Sequence, residues 1–139
     1  MVVRGANSKI ELIKRVPLFS KLSKNKLKEV ASIADEIDLP KGKNLTREGE
    51  RGREFFVLIE GGAEVRKGER RVNTLGPGDF LGEISLITKV PRTATVTTSE
   101  PTRVLVITDR AFGQLLRDSP EISQGVLEAV GERLASELS

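Results

Sequence analysis

The sequence predicts a mainly β domain with flanking helices. Short, evenly spaced apolar segments fill residues 35 to 108, and helical periodicity is confined to the two ends. Turn residues such as Pro40-Lys41-Gly42-Lys43, Gly61-Gly62 and Ser99-Glu100-Pro101 interrupt the middle too often for helices. Strands this short and regular argue for a small roll or barrel. At 139 residues, 37% of them hydrophobic and 31% charged, the chain has the size and composition of one domain with a real core.

The elements follow in order. Residues 1 to 7 read as a loose terminus, after which Ser8 caps a short helix with Ile10, Leu12, Ile13 and Val16 on one broad side. Pro17 stops that helix, and Leu18 and Phe19 follow as an apolar plug. Ser23 opens a second helix in which Leu27, Val30, Ala31 and Ala34 recur at helical spacing. From Asp35 the period changes, with Ile37, Leu39 and Leu45 on short strands. Phe55-Phe56-Val57-Leu58-Ile59 is apolar enough to be buried on both faces. Ala63 to Arg66 and Arg71 to Leu75 make a hairpin around Lys67-Gly68-Glu69-Arg70, and residues 93 to 98 and 103 to 107 supply two more strands. Asp109 is the expected N-cap of a helix through Phe112, Leu115 and Leu116, and Ser119-Pro120 starts a last helix. Ile122, Val126, Val130 and Leu134 form an apolar stripe along it, suited to packing on the roll, covering a pocket or pairing with another chain.

Composition excludes several chemistries. Cysteine and histidine are both absent, which removes disulfides, thiolate or imidazole metal sites, a haem held by either residue, and Ser-His or Cys-His catalytic pairings. No run of about 18 apolar residues and no secretory signal pattern is visible, so neither a membrane span nor secretion is expected and the cytoplasm is the expected location. The net charge of +3 is uneven: residues 1 to 30 hold eight Lys or Arg against two Glu. Apart from Phe19 in the apolar plug, no aromatic residue interleaves with those charges, which favours a solvated helical face over a nucleic-acid contact.

The stretch from Gly76 to Val96 is the informative one. Gly76, Gly78 and Gly82 allow close backbone approach and leave amide N–H groups to point at an anion. Beyond them stand a carboxylate, Glu83, and a guanidinium, Arg92, suited to a sugar hydroxyl and a phosphate respectively. Phe80-Leu81-Gly82-Glu83-Ile84-Ser85-Leu86, followed by Pro91-Arg92-Thr93-Ala94-Thr95-Val96, resembles the phosphate-binding cassette of cyclic nucleotide-binding domains. Such domains occur in catabolite-activator-type regulators, in regulatory subunits of cyclic-nucleotide-dependent kinases and in cyclic-nucleotide-gated channels.

The resemblance implies an eight-stranded β jelly roll (35–108) that carries the cassette at residues 76 to 96. An N-terminal helical bundle (1–34) and C-terminal hinge and lid helices (109–139) would flank it. It implies a phosphate held by Arg92 and by amides near Ile84 and Ser85, and a ribose 2′-hydroxyl bound by Glu83. Phe80, Leu81, Gly82, Thr93 and Ala94 complete the cassette, with Thr93 associated with tolerance of cGMP beside cAMP. Val65 and Leu75 align with the apolar wall against the purine, and Arg133 or Leu134 would cap the base. The implied function is a regulatory sensor for a purine cyclic mononucleotide, cAMP first and cGMP second, with no cofactor and no metal. Its signal would be closure of the last helices toward an effector protein or domain, with a homodimer through the C-terminal helix as an option and no DNA binding by this chain alone. A ligand-free structural or dimerisation module, or a regulatory fragment of a larger effector, is the alternative reading. A phosphodiesterase is disfavoured by the absence of His, Cys and clustered metal carboxylates.

Overall fold

Alternating apolar and polar residues turn the middle of the chain into two four-stranded antiparallel sheets. The computed structural model describes residues 6–16, 19–82 and 91–138, with the side chains of 6–8, 129, 130 and 133–138 excepted. Two helices come first, α1 (Ala6–Lys14) and α2 (Lys24–Ile33). Eight strands follow: β1 (Asp35–Leu39), β2 (Asn44–Thr46), β3 (Glu54–Glu60), β4 (Ala63–Lys67), β5 (Arg70–Leu75), β6 (Phe80–Leu81), β7 (Thr95–Thr98) and β8 (Thr102–Thr108). Helices α3 (Asp109–Asp118) and α4 (Pro120–Leu138) close the chain. One sheet runs β1-β8-β3-β6 and the other β2-β7-β4-β5, a jelly-roll-like arrangement with flanking helices.

The burial of β3 on both faces has a simple cause. Phe55 and Val57, with Leu105 and Ile107 of β8, face a cluster built with the helices; Phe56 and Leu58, with Val104 and Val106, face the interior of the roll. One strand therefore serves two cores, and alternation by two sends its side chains to each in turn. Phe112 of α3 stacks on Phe55 with ring centroids 4.5 Å apart, which fastens the C-terminal helices to the central strand. Ile122 and Val126 of α4 join the same cluster, so the first part of the predicted stripe is core packing. Val130 and Leu134 lie outside the described side chains.

The local signals at helix ends are realised in part: α1 already begins at Ala6, so Ser8 is its third residue and not its cap, a correction to the sequence reading. Ser23 caps α2, its hydroxyl accepting from the Lys26 amide, and Phe19 is fully buried as the plug. Lys9 reaches across from α1 and donates to the carbonyls of Ala31 and Ala34 at 3.0 and 2.6 Å, placing an ammonium at the C-terminal end of α2. Ser119 accepts from the Ile122 amide ahead of Pro120, the expected start of α4. The cap of α3 is a correction: Thr108, not Asp109, accepts from the Ala111 amide, and Asp109 is the first helical residue. Asp109 remains well placed there, because a carboxylate in the first turn is favoured by the helix dipole. Pro17, Leu18 and the terminal residues 1–5 lie outside the described residues. Among the described residues no helix is long and apolar enough to cross a membrane.

Candidate functional site

The turn from β5 into β6 is moored to the central strand. The Gly78 amide donates to the Leu58 carbonyl at 2.8 Å, and the Leu58 amide donates to the Asp79 carbonyl at 2.9 Å. The Asp79 carboxylate accepts from the Gly76 amide at 2.8 Å. The expectation that Gly76 and Gly78 leave amides for a guest is therefore corrected, since the fold itself takes both. Gly78 has a φ of 90°, which answers the turn's need for glycine there.

Strand β6 is two residues long and sends them to opposite sides. Leu81 enters the roll with Val65, Leu75 and Val96 around it in one apolar cluster. Phe80 packs instead in the helix-side cluster, its ring 5.6 Å from that of Phe55. Phe80, expected to complete the cassette, is thus placed behind it on the helix side, with the strand pleat as the reason. Val65 and Leu75, half-buried on the paired strands β4 and β5, do share the roll interior with Leu81.

Arg92 is the buried cation of the site, at 8% exposure. Its Nη1 donates to the Gly82 carbonyl at 3.1 Å and its Nη2 to the Glu54 carbonyl at 2.6 Å. Its backbone is clamped by the β2–β3 loop: the Arg92 amide donates to Glu50 and the Arg92 carbonyl accepts from Gly49, at 2.8 and 2.9 Å. Gly82 has a φ of 100°, and a Cβ there would lie 2.6 Å from the Glu54 carbonyl oxygen and 2.8 Å from Arg92 Nη1. Only a residue without a side chain lets cassette, strand and guanidinium meet.

Ala94 is buried beside these groups and Thr93 is exposed. Glu83, Ile84 and Ser85 lie outside the described residues, as do the side chains of Arg133 and Leu134 on α4. Two partners of the site escape a reading of the motif alone, the Glu54 carbonyl and the loop from Arg47 to Glu50. The second had a faint local signal in Gly49, whose φ is 86°. On the neighbouring strand β4, a hydrogen bond from Arg66 at 3.0 Å holds the Glu64 carboxyl below its ordinary range. A separate apolar cleft of about 180 Å³ opens at the β1–β2 seam between Leu39, Leu45, Phe56 and Val104. It contains none of the residues predicted for the ligand.

The sequence profile of the cyclic nucleotide-binding domain matches residues 36–119. The chain belongs to the cyclic nucleotide-binding domain family. A cAMP-dependent protein kinase regulatory subunit of Mycosarcoma maydis is 40% identical over 134 residues, which covers 88% of this chain and 23% of that protein. A cyclic nucleotide-gated potassium channel of Rhizobium etli is 34% identical over 123 residues, 88% of this chain and 34% of that protein. Among solved structures, the catabolite activator protein of Thermus thermophilus superposes with a TM-score of 0.78 at 25% identity, covering 87% of this chain and 59% of that one. This chain therefore spans 23% of the kinase subunit and 34% of the channel. All these likenesses are to regulators or channels that share this domain.

Proposed function

We propose that the domain is a cytoplasmic sensor that binds a purine cyclic mononucleotide, cAMP first and cGMP second, and reports occupancy through its C-terminal helices. The observation that carries this reading is the placement of Arg92: a buried guanidinium anchored to the carbonyl of Gly82, an earlier residue of the same cassette. A guanidinium has five N–H donors in a planar fork, so anchoring through two carbonyls aims the group without changing its charge. The cyclic phosphate sits against it, assisted by amides near Ile84 and Ser85. Glu83 accepts from the ribose 2′-hydroxyl, and a deoxy analogue binds less well because that carboxylate loses its partner. Leu81, Val65 and Leu75 line the apolar side of the purine, Thr93 tunes the choice of base, and Arg133 or Leu134 covers it.

Closure of α3 and α4 is the proposed output to an effector protein or domain, driven by the ligand's higher affinity for the closed arrangement. The stacked pair Phe55–Phe112 supports this, because β3 carries both that aromatic contact and the carbonyl that holds Arg92. The nucleotide leaves unchanged; the two relatives described above are named as a regulatory subunit and a channel, and the chain has neither His nor Cys. Calorimetric titration with cAMP and cGMP side by side tests the reading, with one ligand per chain expected. No heat and no thermal shift at millimolar nucleotide would refute it in favour of a ligand-free interaction module. Amide exchange across residues 109 to 138 tests the closure, and equal rates with and without cAMP would defeat it. Recovery of AMP after incubation would show an enzyme instead.

A further inference from the structure

Two of the four edge strands, one from each sheet, carry opposite charge. β1 ends one sheet and reads Asp35-Glu36-Ile37-Asp38-Leu39; β5 ends the other and reads Arg70-Arg71-Val72-Asn73-Thr74-Leu75. Among the described residues, Ile37, Val72 and Leu127 are the exposed large apolar side chains, and the first two sit within these edges at 39% and 38% exposure. Laid side by side in parallel, Ile37 beside Val72 brings Asp35 next to Arg70 and Glu36 next to Arg71. Some of these charges also have partners within the molecule: Asp38 binds Arg103 at 2.7 Å, Glu36 adds to the field on the same Arg103, and Arg71 approaches Glu64 at 3.6 Å while its side chain stays 61% exposed.

A sheet edge offers a row of backbone donors and acceptors, and charges on it decide which other edge it tolerates. Two acidic β1 edges repel, as do two basic β5 edges, so the favoured union is unlike with unlike. We propose that β1 of one copy adds to β5 of a second copy, extending a sheet across two molecules. Because the two edges belong to different sheets, one molecule engages a neighbour on each side, and the contact is heterologous: it builds rings or open chains rather than a two-fold dimer. This is independent of nucleotide and of the C-terminal helix.

Sedimentation of the full chain over a range of concentrations at low and high salt tests the proposal. Association that grows with concentration and is lost in high salt is expected, because exposed pairs are screened. The double variant Arg70→Glu/Arg71→Glu makes both edges acidic, and Asp35→Lys/Glu36→Lys makes both basic; each alone is expected to sediment as a monomer. Mixed in equal amounts they regain association in alternating species, a recovery that general destabilisation cannot produce. Where a double variant fails to fold by circular dichroism, Arg70→Glu and Asp35→Lys carry the same comparison. A wild-type monomer at every concentration in low salt, variants that associate like the wild type, or a mixture that stays monomeric would overturn the proposal.

Discussion

Replacing Gly82 by alanine tests the mooring of the guanidinium directly. The added Cβ would stand 2.6 Å from the Glu54 carbonyl oxygen and 2.8 Å from Arg92 Nη1, both nearer than carbon can come. Glu54 opens the central strand and its carbonyl is part of the backbone, so the segment at residue 82 must draw back from it, and the guanidinium, the far end of a side chain, is displaced as well. Backbone strain for a side chain at a φ of 100° costs about 1–3 kcal/mol. Loss or distortion of the bonds to Gly82 and Glu54, each to a charged donor, adds about 1.5–3 kcal/mol. The stability loss is then about 2.5–6 kcal/mol, or a fall in thermal midpoint of about 10–20 °C for a chain of this size. A misplaced Arg92 also weakens the anion contact, and about 3 kcal/mol corresponds to a loss of about 100-fold in cAMP affinity. Gly49→Ala is the control: φ is 86° but nothing lies within 4 Å of the added carbon. It is expected to lose about 1 kcal/mol through strain and to keep its affinity within about threefold. Thermal melts and calorimetry measure the two effects. Wild-type affinity in Gly82→Ala would refute the reasoning that this glycine and Arg92 form one unit.

Arg92→Ala is expected to abolish most binding, since removing one member of a buried charge pair costs about 3–5 kcal/mol. Arg92→Lys keeps the charge but cannot fork between the Gly82 and Glu54 carbonyls, so a loss of about tenfold or more is expected, and equal affinity would remove geometry from the account. Phe112→Ala empties the stack on Phe55 and is expected to cost about 3–5 kcal/mol by chemical denaturation. If α3 transmits occupancy, the same variant also shrinks the ligand-dependent exchange difference in α4. With no histidine or cysteine in the chain, cAMP affinity should vary less than about twofold between about pH 6 and 7.5, a range that a titration series covers. Glu64 fits this: its folded pKa is depressed, so its stabilising contribution is complete above the ordinary glutamate range and is lost only as pH falls through the lowered value.

Local chemistry wrote much of the architecture. Ser23 and the Ser119-Pro120 pair mark helix starts because their hydroxyls satisfy amides three residues on. The doubly apolar run at 55–58 declares a central strand because both of its faces lose water. The cassette motif named the family, since an ordered set of glycine, carboxylate, small residue and arginine is far rarer than any one of them. Tertiary structure decided the rest. The Arg92 side chain meets a carbonyl 38 positions away, and nothing local encodes that meeting because carbonyls are present at every residue. The Gly78 amide is consumed by the Leu58 carbonyl, a pairing visible only once β3 lies beside the turn, whereas the Gly76 amide goes to Asp79 within the turn itself. Phe80 and Leu81 part company because a strand of two residues is too short for alternation to show which face is inside. Sequence thus determined which residue types the site contains and where elements begin; long-range strand pairing decided which of those groups meet, because loop closure brings together atoms that share no local pattern.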